Sequence, residues 1–136
     1  DVLLGGFPCQ PFSSIGRRQG FEHPTQGTLF YDIVRILEHH KPSAFLLENV
    51  KGLTNHDNGN TWRVIQETLE SLGYDLQTKV LDAANFGVPQ HRERIYIVGF
   101  RKDTKVNDFE YPKPINKKVF EINSPLKAVI NASCVL

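Results

Sequence analysis

Residues 44–49 read Ala-Phe-Leu-Leu-Glu-Asn, a short apolar run that stops on a carboxylate and an amide. A continuous apolar run of this length is the pattern of a strand buried on both faces, as in a parallel sheet. In open α/β sheets the crevice beyond the carboxyl ends of the strands is where reactive groups gather. Glu48 and Asn49 therefore stand at a position where function is expected.

The flanking sequence agrees with such a sheet. Residues 2–5, Val-Leu-Leu-Gly, repeat the buried-strand pattern, and a loop rich in Gly, Ser and Pro fills residues 6–27. Leu29, Ile33, Ile36 and Leu37 then recur at helical spacing, with Thr28 able to cap the start and Pro42 barring continuation. A second amphipathic helix is predicted over residues 60–73, with Trp62, Ile65, Leu69 and Leu72 on one face, Asn60 or Thr61 as cap and Gly73 at the end. Residues 74–83 alternate as a half-buried strand does, and residues 94–100, Arg-Ile-Tyr-Ile-Val-Gly-Phe, read as another strand. The order predicts an α/β fold, most economically a doubly wound sheet with right-handed crossovers. Pro112, Pro114 and Pro125 among scattered lysines mark an exit linker over residues 103–136.

Composition bounds the function. With 136 residues, 40% of them hydrophobic and 23% charged, the chain fits one ordinary globular domain. A formal net charge of +1 supplies no global attraction for an anionic partner, so nucleic-acid binding must rest on local arginines and lysines. Cys9 and Cys134 lack the spacing of a disulfide framework or a zinc site, and reduced thiols with no metal are expected. No apolar run reaches the roughly 18–20 residues of a membrane span, and no signal peptide opens the chain. A cytoplasmic protein with no membrane partner is the expectation. The chain has no methionine and begins within a strand-like run, so a fragment of a longer polypeptide is expected.

Three clusters carry chemistry: Pro-Cys-Gln-Pro-Phe-Ser-Ser at 8–14, Glu-Asn-Val at 48–50, and Pro-Gln-His-Arg-Glu-Arg-Ile-Tyr at 89–96. Singly, each has a bland explanation: a lone cysteine is usually a small buried hydrophobe, a glutamate at a strand end is usually solvated, and alternating charges usually form a surface salt-bridge pattern. Together and in this order they resemble the signature motifs of the cytosine-5 DNA methyltransferases, of the bacterial restriction-modification type. The likeness runs from Asp1 to about Lys102 and includes the intervening Gly-Thr-Leu-Phe-Tyr-Asp-Ile (27–33) and His-Asp-Asn-Gly-Asn-Thr (56–61).

The resemblance implies a partial S-adenosylmethionine-dependent methyltransferase fold, Rossmann-like and doubly wound. Residues 1–102 would be the central and C-terminal part of the catalytic domain, and 103–136 would lead toward a DNA-recognition region. It implies Cys9, Glu48 and Arg94 as catalytic residues, with Gln10, Ser13, Asn49, Gln90 and Arg92 contacting substrate and Pro8 and Leu29 bordering the methyl donor. A thiolate suits addition to carbon 6 of cytosine, a carboxyl suits ring nitrogen 3, and an arginine suits the ring carbonyl oxygen. The implied partners are double-stranded DNA, whose target base must leave the helix, and the remainder of the polypeptide or a complementing chain; the implied location is the bacterial nucleoid. The loop between Gln10 and Gly27 is expected to close over DNA. Other readings are a transfer-RNA cytosine-5 methyltransferase, an inactive remnant, and a thiol hydrolase pairing His91 with Cys9, against which no third orienting residue is evident.

Overall fold

The computed structural model describes residues 1–7, 29–106 and 108–115. Strand β1 (Val2–Gly6) is followed by helix α1 (Leu29–His40), strand β2 (Ala44–Val50), helix α2 (Asn60–Ser71), and strands β3 (Tyr74–Asp82) and β4 (Glu93–Arg101). Short 3-10 turns occupy Lys51–Thr54 and His56–Gly59 before α2, and Ala83–Phe86 after β3.

The four strands form one sheet in the order β1-β2-β4-β3. β1 and β2 are parallel, with α1 in the connection between them, whereas β4 runs antiparallel to both β2 and β3. The fold is α/β as expected, and the sheet is mixed. The connection from β3 to β4, residues 83–92, contains no α-helix and is shorter than the dozen or more residues that a parallel crossover needs, so the chain turns back as a hairpin.

Both helices pack on one face of the sheet. Phe45 and Leu47 of β2 and Ile95 and Ile97 of β4 meet Phe30, Val34 and Leu37 of α1 and Ile65 and Leu69 of α2, closed by Phe7, Leu53 and Tyr74. Gly99 makes this packing possible: a Cβ there would lie 2.2 Å from Cζ of Phe45, its register partner, so the Phe45 ring lies directly over the bare backbone. The Phe45 ring in turn tilts against Tyr74 at 5.0 Å between centroids, and the Tyr74 hydroxyl donates to the Pro42 carbonyl at 2.9 Å.

Two expectations about burial are corrected. β1 is not covered on both faces: Val2 and Leu4 are 65% and 70% exposed, because among the described residues the face of β1 opposite the helices carries no covering layer. In α1 the buried stripe is Phe30, Val34 and Leu37, while Leu29 and Ile36 are exposed. The i, i+4, i+7 stripe is rotated from the expected one by the large Phe30 ring, which packs on Phe7 at 5.5 Å. The expected cap Thr28 lies outside the described residues. α2 begins at Asn60 after Gly59 in the left-handed region (φ 82°) with no side-chain cap, since the Thr61 hydroxyl is bonded to the His56 ring at 2.6 Å and Asn60 Nδ2 donates to Asp57.

The second face is covered at its β3–β4 end by residues 108–115, within the segment expected as a linker. Phe109 tilts against Phe100 of β4 at 5.4 Å and meets Tyr111 edge to face at 5.1 Å. The Tyr111 hydroxyl lies 2.8 Å from the Gln77 carbonyl and 3.0 Å from that of Tyr96, and burial pushes its pKa up to about 12.

Candidate active site

β1 and β2 run in parallel, so Gly6 and Glu48 reach the same end of the sheet as register partners. β4 is antiparallel, so its first residues, not its last, arrive there. Val50 is paired with Arg94 and Glu48 with Tyr96, which puts Glu48 and Arg94 on one face, a residue pair apart. Their side chains meet: Arg94 Nε and Glu48 Oε1 form an ion pair at 2.9 Å, with 21% of the arginine and 36% of the glutamate side chain exposed. A second guanidinium nitrogen of Arg94 donates to the Glu93 carbonyl at 2.9 Å. Oε2 of Glu48 lies on the side of Gly6, where a Cβ would come within 3.5 Å of it. The pair is a charged, partly sheltered donor-acceptor group at the mouth of the sheet. An ion pair of this exposure adds little to stability, which suits groups kept for chemistry.

Asn49 differs from the expectation that it contacts substrate. Period-two alternation sends its side chain to the helix-covered face, where it is 2% exposed. Nδ2 donates to the Phe7 carbonyl at 2.9 Å, and Oδ1 accepts from the Val50 amide at 2.7 Å. Asn49 thus fastens the end of β2 to the residue just beyond β1.

Gln90 and Arg92 are exposed on the hairpin connection between β3 and β4. That connection is fixed at its base by the Ala83 amide donating to the Arg92 carbonyl at 3.1 Å and by the Asp82 carboxylate, which sequence reading did not single out. Oδ1 of Asp82 accepts from the Ala84 amide at 3.1 Å and the Arg92 amide at 2.9 Å; Oδ2 lies 3.0 Å from Nδ1 of His91. The His91 hydrogen bond, and after it the two amides, hold the Asp82 carboxyl below its ordinary value against the opposing effect of partial burial. His91 is thereby engaged with Asp82. The aspartate directly before a small-residue turn was the available signal, since Asx side chains bond the amide two residues on. On the helix-covered face Lys51 pairs with Glu93 at 2.9 Å, next to Arg94 in sequence.

Leu29 is 53% exposed at the start of α1, adjacent to the Phe30 ring that contacts Phe7 at the end of β1. Pro8, Cys9, Gln10 and Ser13 lie outside the described residues, as does the whole segment expected to close over DNA up to Gly27. Among the described residues no group of His, Cys, Asp and Glu could hold a metal ion, and no helix is long and apolar enough to cross a membrane.

Known proteins share this sequence and fold. The chain is 60% identical over 119 residues to the Type II methyltransferase M.BsuFI of Bacillus subtilis, covering 86% of this chain and 29% of the relative. It is 46% identical over 130 residues to the Type II methyltransferase M.HhaI of Haemophilus parahaemolyticus, covering 96% and 38%. Among solved structures, a Spodoptera frugiperda DNMT2 mutant superposes with a TM-score of 0.57 at 27% identity, over 85% of this chain and 36% of that one. The chain spans about a third of the length of the curated relatives it matches. The sequence pattern of C-5 cytosine-specific DNA methylases matches residues 1–133, and the chain belongs to that family.

Proposed function

We propose that this chain is the catalytic part of a DNA cytosine-5 methyltransferase of restriction-modification type, acting on a cytosine turned out of duplex DNA. The observation that carries the reading is the Glu48–Arg94 pair, a carboxyl and a guanidinium joined at the strand ends that border the Cys9 segment. Carbon 5 of cytosine attacks a methyl group only after a nucleophile has added to carbon 6 and made the ring an enamine. Cys9 supplies the thiolate for that addition: a sulfur–carbon 6 bond forms, and the displaced electron pair moves toward ring nitrogen 3 and the carbonyl oxygen.

Glu48 answers the charge at nitrogen 3 with a proton or a strong hydrogen bond, and Arg94 binds the carbonyl oxygen. Arg94 Nε already holds Oε1, so Oε2, on the open side made by Gly6, is the oxygen presented to the base. Once carbon 5 carries the new methyl group, a base takes its proton, the electron pair re-forms the ring double bond and the Cys9 thiolate leaves. Gln10, Ser13, Gln90 and Arg92 contact the DNA.

S-adenosylmethionine, when bound, supplies an electrophilic methyl group. Leu29 fits one apolar wall of its site, being an exposed aliphatic side chain at the same end of the sheet as Gly6 and Glu48; Pro8 is its expected companion. Residues from 103 onward lead toward the DNA-recognition part of the full polypeptide, which works at the nucleoid.

Trapping tests the reading. The full polypeptide is incubated with S-adenosylmethionine and duplex DNA containing 5-fluorocytosine, which cannot lose its carbon 5 substituent, and the digest is searched by mass spectrometry. An adduct on the Cys9 peptide, absent in Cys9→Ser, is expected. An adduct with transfer RNA alone would move the enzyme to the RNA branch, and no adduct with either would mark an inactive remnant.

A further inference from the structure

Asp82 is the last residue of β3, and its one carboxylate is shared by three partners on the hairpin connection. Oδ1 accepts from the amides of Ala84 and Arg92 at 3.1 and 2.9 Å, and Oδ2 meets the His91 ring at 3.0 Å. The first partner starts the turn that leaves β3; the other two belong to the stretch that enters β4. One side chain therefore joins both ends of residues 83–92. The backbone inside the connection is held as well: the Val88 amide donates to the Ala83 carbonyl, the Gln90 amide to the Val88 carbonyl, and the Ile115 amide to the Asn85 carbonyl.

Two of the side chains carried by this fixed backbone, Gln90 and Arg92, are not tied down among the described residues. Gln90, His91 and Arg92 are all exposed; the His91 ring is held by Asp82, while the Gln90 and Arg92 side chains have no hydrogen bond or ion pair among the described residues. A rigid backbone bearing long exposed polar groups is the arrangement of a preorganised contact surface, because ordering costs are met before the ligand arrives. Arg94 follows two residues later and reaches Glu48.

We infer that Asp82 is a positioning residue for DNA: by tying Arg92 and His91 to Ala84 it presents Gln90 and Arg92 to the substrate in a fixed geometry. It touches neither the base nor the reacting atoms. The inference rests on the methyltransferase reading above, and it predicts a defect in substrate binding more than in the chemical step. Asp82→Ala removes every acceptor. Asp82→Asn keeps one oxygen, enough for the Ala84 and Arg92 amides, and loses the charge facing His91.

In the full polypeptide, Asp82→Ala is expected to raise KM for duplex DNA by about tenfold while kcat changes less than about threefold, and Asp82→Asn to restore KM to within about threefold of the parent. Hydrogen exchange at the Ala84 and Arg92 amides, measured without substrate, is expected to accelerate in Asp82→Ala and to stay slow in Asp82→Asn. Unchanged KM in Asp82→Ala overturns the inference, and so does an equal defect in both variants. If the parent itself methylates no DNA, the methyltransferase reading fails, and unaltered exchange in Asp82→Ala then removes the latch independently.

Discussion

Nδ2 of Asn49 donates to the Phe7 carbonyl at 2.9 Å, linking the last turn of sheet in β2 to the residue that leads into Pro8 and Cys9. Replacing Asn49 by Ala leaves that carbonyl buried without its donor, and a loss of about 2 kcal/mol is expected in urea unfolding of the full polypeptide. Asn49→Asp keeps the acceptor for the Val50 amide and removes the donor, so it is expected to lose nearly as much. A stability equal to the parent in both variants contradicts the assignment.

Glu48 and Arg94 are separable from the fold. Glu48→Gln retains an oxygen for Arg94 but cannot supply the proton, so methyl transfer is expected to fall about 100-fold or more, while the thermal midpoint stays near that of the parent. Single-turnover methylation beside a melting curve reads the two quantities together.

Gly99 has the opposite profile. In Gly99→Ala the new methyl carbon meets the Phe45 ring at 2.2 Å, and that ring is buried against Tyr74. A destabilisation of about 3 kcal/mol is expected from such overpacking. Denaturant midpoints measure it; a shift below about 0.5 kcal/mol would show that the ring relocates freely.

Burial pushes the pKa of the Tyr111 hydroxyl, held against the Gln77 and Tyr96 carbonyls, up from 10.0 to about 12. A folded-state value above the unfolded one means stability that is full below pH 10 and declines as pH rises through 12. Tyr111→Phe is expected to cost about 1 kcal/mol at neutral pH through the lost hydrogen bond. Its difference from the parent should shrink between pH 10 and 12, measured by urea midpoints across that range. A difference that stays constant across that range refutes the raised value.

Much of this architecture was legible in the residues. Four strands and two helices stand where apolar runs, alternation and Gly or Pro stops put them, because those signals are local. The direction of β4 was not legible from its own residues, since Arg-Ile-Tyr-Ile-Val-Gly-Phe reads the same in either orientation; the short helix-free connection before it carried that information. The faces were harder still. Asn49 shares the Glu-Asn-Val motif with Glu48, yet neighbours on a strand point to opposite faces and its side chain is buried. Asp82 left only a local turn signal, an aspartate two residues before the amide it accepts from; its bonds to His91 and the Arg92 amide depend on how the hairpin closes. The burial of β1 depends on what lies against it, which local pattern does not contain.

Alternation along β2 and β4 also separates two kinds of selection. Glu48 and Arg94 occupy one parity of their strands, while Leu47, Asn49, Ile95 and Ile97 occupy the other. Substitutions at the partly exposed Glu48 and Arg94 cost the fold little, whereas those at the four buried residues cost it much. A lineage carrying these paired strands can therefore change its exposed charges and its core almost independently, one residue apart.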